Sequence, residues 1–486
     1  MKTVTIDPIT RLEGHGKISI FLNDKGNVEN AYLQIPELRG FERFAQGRRA
    51  EDMPQITSRI CGVCPVAHHF AATKALDKAF NVDPPSAAKK LRELMYMGYY
   101  IYDHTLHFYY LGGPDFVVGP DAPAAKRNVI GVIEKAGVDI GKDVIKHRAY
   151  GQKITAILGG KATHPVCGLP GGISKGLNKE EVGDIKKMVD SCIEFAKFSL
   201  KLFDDIVLAN KTYVDLILSD PYQLATYNMG LVDKNNKVNF YDGIIRVTDQ
   251  KGKEKVKFDV KDYTKHVEER VEDWTYIKFP YLKSVGWNGF KDGKESGIYR
   301  VGPLGRLNAA EGMATPLANK EYKRFYETLG GKSVNSTLAF HWARLIELLY
   351  ATERAKELIH DSEITSQKIR NPVGEPGEGI GVTEAARGTL IHHYKLDKNG
   401  LIDKANLIVA TTNNSGAINM SIRDAAKGVI KDGKVDDGTL NLVEMAFRAY
   451  DPCFACATHT LPGGMPMEVN IYDHNKKLYK TLKQNL

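Results

Sequence analysis

Two stretches of this sequence carry paired thiols. "RICGVCPVAH" sets Cys61 and Cys64 at C-x-x-C spacing, and "DPCFACATH" repeats that spacing with Cys453 and Cys456. Six cysteines placed at random in a chain of this length would give roughly 0.06 such pairs, so two are a signal. Four thiolates most often hold a structural zinc. Zinc ribbons and knuckles, however, bring their second pair within about 15 to 20 residues of the first, and here the pairs stand at opposite ends of 486 residues. A site that joins the two ends suits an interior centre in which sulfur holds one metal or bridges two, with nickel, iron, copper or zinc as candidates. A redox-active dithiol is the other option, and it needs only one pair.

The local context of the first pair suits ligation. Pro65 fits a first helical turn, so Cys61 and Cys64 sit at a helix entrance. The partial positive charge there lowers thiol pKa and favours the thiolate. His68 follows Cys64 by one turn on the same face and could hydrogen-bond a ligating sulfur. For His69 the expectation is a satisfied, partly buried histidine. Cys167 and Cys192 lack partners at ligand spacing and are expected in the core.

Something must bring such distant pairs together, and the composition allows it. With 43% hydrophobic residues the chain can bury a large core. Its 67 basic and 59 acidic residues give a net charge of +8 spread without blocks, which is no nucleic-acid footprint. The first residues lack an apolar signal core, and no uncharged apolar run reaches about 18 residues, so no membrane span is expected and the chain is assigned to the cytoplasm.

The expected fold class is α+β, mainly α: a long-helix bundle core with small peripheral β-sheets. "KISIFLN" and "VENAYLQI" around "DKGN" predict a β-hairpin. Residues 86–111, 180–210 and 335–360 carry apolar residues at three- and four-residue intervals and predict long helices. Short alternating runs predict a β-rich surface excursion over 228–305, and Asn399-Gly400 marks a turn between two further strands. One domain is expected over 1–459, divided into a β-rich part (1–50), a helical core (60–227), the excursion (228–305) and a second helical part ending in the metal motif (306–459), with 460–486 as an extension. The Gly-rich "GEPGEGIG" matches neither the dinucleotide nor the P-loop pattern and is expected to be a turn-rich lead into the segment bearing Arg387.

Taken together, "RICGVCPVAH" and "DPCFACATH" resemble the two metal-binding motifs of the large subunit of nickel-iron hydrogenases. "RLEGHGKI", "RGFE", "LHFYYLGGPD" and "EAARGTLIHHY" resemble further motifs of that family in the same order, from about residue 3 to the C-terminus. Within the family, the wording is similar to the methyl-viologen-reducing, deazaflavin-nonreducing type of methanogenic archaea. The resemblance implies that Cys61, Cys64, Cys453 and Cys456 ligate nickel, with Cys64 and Cys456 also bridging to an iron that carries carbon monoxide and cyanide. His68 then becomes a neighbour of a bridging sulfur. Glu42, His459 and a backbone carbonyl near Met420 are implied as magnesium ligands.

Heterolytic cleavage of dihydrogen needs a base beside the metals and a way out for the proton. The resemblance implies that the Cys453 thiolate receives the proton and Glu13 relays it. On spacing alone, Glu13 would be paired with Arg11 or solvated. Arg387, Asp115 and Asp451 are implied as a polar canopy over the metals. Where the family commonly has proline, this chain has Ala386. Beyond the four, Cys167 and Cys192 lack partners at ligand spacing and offer no iron-sulfur cluster site, so an iron-sulfur small subunit is implied, with a heterodisulfide reductase complex and an electron-transfer subunit beyond it. A dedicated maturation endopeptidase is implied to cut after His459. The competing readings are a non-catalytic relative, the quinone-site subunit of respiratory complex I, which lacks the cysteine quartet, and a four-Cys zinc protein.

Overall fold

Long apolar-faced helices dominate the middle of the chain. The computed structural model describes residues 2–7, 9–458, 467–472 and 478–484. The predicted helices are Ser86–Leu106, Lys179–Phe203 and Phe340–Ile359, and a fourth, Val138–Gly159, joins them. Ser86–Leu106 is central, packing on both Val138–Gly159 and Phe340–Ile359. Lys179–Phe203 begins with a reciprocal cap: the Asn178 side chain accepts from the Glu181 amide, and the Glu181 carboxylate accepts from the Asn178 amide. Such a box contributes about 1 kcal/mol and settles where the helix starts.

The N-terminal hairpin forms from Lys17–Leu22 and Val28–Gln34, and Lys2–Ile6 adds a third antiparallel strand. Buried apolar residues from Ile6 to Ala457 make one continuous core, so the segments that carry the two thiol pairs are anchored in the same interior. That continuity lets the two thiol pairs meet.

The β-rich excursion differs from expectation in one respect. Its strand Tyr227–Val232 is buried along its whole length, not peripheral. It packs on the helix Gly302–Ala309, and its residues share a second apolar cluster with Val382, Ile391 and Ile408. Both faces of "YNMGLV" are covered: Tyr227, Met229 and Leu231 join that cluster, and Asn228 on the other face accepts from Asn308 Nδ2 at 3.2 Å.

"GEPGEGIG" is likewise more than a turn. From Glu378 it forms the strand Glu378–Ala385, which pairs with Gly388–Leu396, itself paired with Ile402–Ile408. The strand lies directly on the helix Pro65–Ala79. A Cβ at Gly379 would stand 2.1 Å from the Ala75 carbonyl oxygen, and one at Gly381 would stand 2.4 Å from that of Ala71. The alternating glycines permit this contact with helix backbone. The first thiol pair is thereby tied to the strand that leads into Arg387.

Candidate metal centre

Pro65 is the first residue of the helix Pro65–Ala79 and Cys64 its N-cap, as the sequence predicts. The amides of Val63 and Cys64 donate to Cys61 Sγ at 3.2 and 3.4 Å, which turns this sulfur into the acceptor of its loop. Cys453 is the N-cap of the short helix Phe454–Ala457, and its own amide donates to Thr411 Oγ1. Two helix entrances therefore face each other with their thiols between them.

The sulfurs come together closely. Cys61 and Cys453 Sγ are 3.2 Å apart, Cys64 and Cys456 are 3.3 Å apart, and Cys453 and Cys456 are 2.9 Å apart. All four lie within 4.8 Å of one another, and among the described residues this is the one group placed to hold a metal. None of the four residues is more than 4% exposed. Hydrogen bonds from neighbouring thiols, Cys453 first, hold Cys61 well below its ordinary pKa, while burial pushes Cys453 and Cys456 well above theirs. A sealed set of four soft donors fits a thiophilic metal, since ligation replaces the protons that burial otherwise forces the sulfurs to keep.

Glu13 lies against this group. Cys453 Sγ donates to Glu13 Oε2 at 2.9 Å, and the Ala455 amide reaches the same oxygen at 3.2 Å. The Phe454 amide donates to the Glu13 carbonyl, which fastens the two segments by backbone as well as side chain. Burial raises the Glu13 carboxyl above its ordinary pKa, and the Cys61 charge acts in the same direction. Arg11 does not pair with it; Arg11 is engaged with Asp115 at 2.5 Å.

Arg387 is buried beside the group. Its Nη1 and Nη2 donate to the two oxygens of Asp103 at 3.0 and 3.1 Å, and its Nε donates to the Asp451 carbonyl at 2.8 Å. Nη2 also lies 2.8 Å from Asp451 Oδ2, an ion pair whose angle does not make a hydrogen bond. Asp451 has φ +57°, and burial is the main cause that pushes its carboxyl up to about 7.

Asp115 does not share this contact. It bridges Arg11, Arg448 and Asn441, so the carboxylates on Arg387 are Asp103 and Asp451. The two aspartates part because Asp103 lies on the Ser86–Leu106 helix facing Arg387, whereas Asp115 follows a π-helical turn, His107–Gly112. Asp103 escaped the sequence reading, although an acid within "MYMGYYIYDHTL" was the available signal: a charge on a buried aromatic helix needs a partner.

His68 is buried and kept neutral, its pKa lowered to about 4 by burial. Its Nδ1 meets His392 Nε2 at 3.2 Å, and His392 Nδ1 meets the Tyr394 hydroxyl at 2.6 Å. His69 is structural, as expected, bonding the Pro54 carbonyl and the Gly168 amide. Cys167 and Cys192 are buried apart from the site, with pKa pushed up to about 12 by burial. Glu42 Oε1 accepts from the Leu407 amide at 2.6 Å. Met420 stands inside the helix Ala410–Val429, where carbonyls are engaged along the helix. His459 lies outside the described residues. The Thr458 carbonyl just before it accepts from the Arg39 amide at 2.6 Å, in the same "RGFE" segment as Glu42.

A family profile described as nickel-dependent hydrogenase matches residues 39–130 and 143–459, and a HoxL-like profile matches 3–38. The chain belongs to the nickel-dependent hydrogenase family. The hydrogenase is 48% identical over 485 residues to an F420-non-reducing hydrogenase iron-sulfur subunit of Archaeoglobus profundus, covering 99% of this chain and 100% of that one. It is 42% identical to an F420-non-reducing hydrogenase subunit of Methanothermobacter thermautotrophicus, covering 99% and 100%. Its fold matches the crystal structure of an NAD+-reducing [NiFe]-hydrogenase in the H2-reduced state, with TM-score 0.89, 37% identity, and coverage of 94% of this chain and 100% of that one. The helix-dominated α+β class and the hydrogenase assignment both stand, and the zinc and complex I alternatives fall away.

Proposed function

We propose that this chain is the hydrogen-activating large subunit of a nickel-iron hydrogenase, oxidising dihydrogen reversibly to protons and electrons. The observation that carries this reading is the Cys453 to Glu13 contact within a sealed group of four sulfurs. Cys61, Cys64, Cys453 and Cys456 would hold the centre, a nickel with an iron that bears carbon monoxide and cyanide. Bound there, the metal pair supplies heterolytic cleavage of dihydrogen.

The chain's own residues then divide the work. Cys453 Sγ carries the proton at the site, and Glu13 accepts it at Oε2 without any movement of the backbone. Burial suits Glu13 to this task, because it raises the carboxyl's affinity for a proton. Arg387 offers a positive, hydrogen-bonding face whose direction Asp103 and Asp451 hold. His68, neutral and bonded to His392, lines the site without adding charge.

Glu42 and His459 are assigned to a magnesium ion that ties the chain end to "RGFE". The Thr458 to Arg39 hydrogen bond supports this, since it brings the chain end to that segment. Electrons leave through an iron-sulfur partner subunit, because only Cys167 and Cys192 remain outside the four-sulfur group, too few to hold a cluster. In an enzyme of this type the further acceptor is a heterodisulfide reductase assembly in the cytoplasm of a methanogen, a reading supported by relatives described as F420-non-reducing hydrogenase subunits. An endopeptidase removes 460–486, in keeping with a family match that ends at residue 459. Metal analysis of purified enzyme tests the whole reading. One nickel and one iron per chain, with infrared bands from carbon monoxide and cyanide, are expected; stoichiometric zinc alone would overturn it.

A further inference from the structure

Arg387 is the second residue of a two-residue turn, Ala386-Arg387, between paired strands that close with Ala385 opposite Gly388. Hairpin turns are usually wet, but this one is buried, with Ala386 0% and Arg387 2% exposed. Its backbone groups therefore need protein partners. The Ala385 and Ala386 carbonyls accept from Arg306 Nη1 and Nη2 at 2.8 and 3.2 Å, and Arg306 is itself held by Glu347 and Glu384. The Arg387 carbonyl accepts from Asn414 Nδ2 at 3.1 Å. The Glu384 carbonyl accepts from the Tyr96 and Tyr100 hydroxyls at 2.7 and 2.8 Å.

The Ala386 amide, the group directly before the arginine, donates to the Tyr99 hydroxyl at 3.0 Å. Tyr99 stands one helical turn before Asp103, so both project from one face of Ser86–Leu106. Asp103 grips the guanidinium of Arg387, and Tyr99 grips the backbone from which that side chain springs. Arg306 and Asn414 hold the carbonyls of the turn, and Tyr99 holds the amide directly before the arginine. With its guanidinium and its backbone both held from one helix, the side chain keeps one position beside the sulfurs.

We propose that Tyr99 is a positioning residue of the hydrogenase reaction: its hydroxyl, by accepting the Ala386 amide, sets where Arg387 stands beside the four sulfurs. The proposal rests on the reading that those sulfurs hold the reacting metals. Tyr99→Phe leaves a buried amide without a partner. Ala386→Pro removes the amide but faces the Tyr99 hydroxyl with a ring carbon. The double variant removes donor and acceptor together, which is far less costly than orphaning either.

In the enzyme assembled with its electron-transfer partner, Tyr99→Phe should lower kcat for hydrogen/deuterium exchange about tenfold, with KM for dihydrogen within about twofold, because one buried amide loses its acceptor. Ala386→Pro should behave similarly, and the double variant should return to within about threefold of the starting enzyme. Amide exchange at Ala386, read by mass spectrometry with or without metal, should speed up about tenfold in Tyr99→Phe, the kinetic equivalent of one lost hydrogen bond. An unchanged kcat in Tyr99→Phe overturns the proposal whatever the amide does, and so does a double variant no better than the worse single. If Tyr99→Phe fails to load nickel, restored loading in the double variant supports the proposal and its absence overturns it. Failure of the unaltered enzyme to hold nickel would refute the metal reading instead, while amide exchange would still report on the tether.

Discussion

Glu13→Gln separates proton transfer from everything else that Glu13 does. The carboxylate accepts two hydrogen bonds on Oε2, from Cys453 Sγ at 2.9 Å and from the Ala455 amide at 3.2 Å. Glutamine presents an amide oxygen of the same shape, so both acceptor contacts persist, yet it cannot take up a proton at ordinary pH. Stability should change little. Burial already raises the carboxyl's pKa, which means that the pocket favours a neutral side chain, and the substitution supplies one. Losing a positioned acid-base group costs about 10² to 10⁴ in rate. Hydrogen/deuterium exchange should therefore fall at least about a hundredfold, equivalent to roughly 3 kcal/mol on the barrier. The assay is isotope exchange in the gas phase, with nickel and iron measured on the same sample. Near-normal exchange with a full metal complement would remove Glu13 from the proton route. Loss of the metals would show that Glu13 builds the site and does not merely serve it.

Two aspartate variants test which acid belongs to Arg387: Asp103→Asn breaks a buried two-point pair and should cost about 3 kcal/mol with a large fall in turnover, whereas Asp115→Asn should be read mainly as lost thermal stability around Arg11 and Arg448. Equal effects on turnover would refute the separation. The isolated chain, even fully metallated, should fail to reduce viologen dyes, because electrons have no cluster to leave through; robust reduction by a verified single chain would contradict this. Intact-mass measurement of nickel-containing enzyme should give a chain ending at His459, and a species still ending at Leu486 would show that 460–486 is a permanent part of the protein.

What the sequence determined by itself is local. The C-x-x-C spacing, Pro65 after Cys64, and the apolar periodicity of 86–111, 180–210 and 335–360 each depend on neighbours within a few turns, and each appears in the structure at its expected place. The family motifs added the pairing of distant cysteines, which no periodicity encodes. Tertiary structure alone decided the rest. It gave Arg11 to Asp115 and left Glu13 to Cys453; it brought Asp103 and not Asp115 to Arg387; and it turned Gly379 and Gly381 from turn signals into the contact that seats a strand on a helix. The physical reason is common to these cases. A buried charge or amide takes whichever partner the packing of remote elements delivers, and partners such as Tyr99 and Ala386, far apart in the chain, leave no trace in the spacing of either.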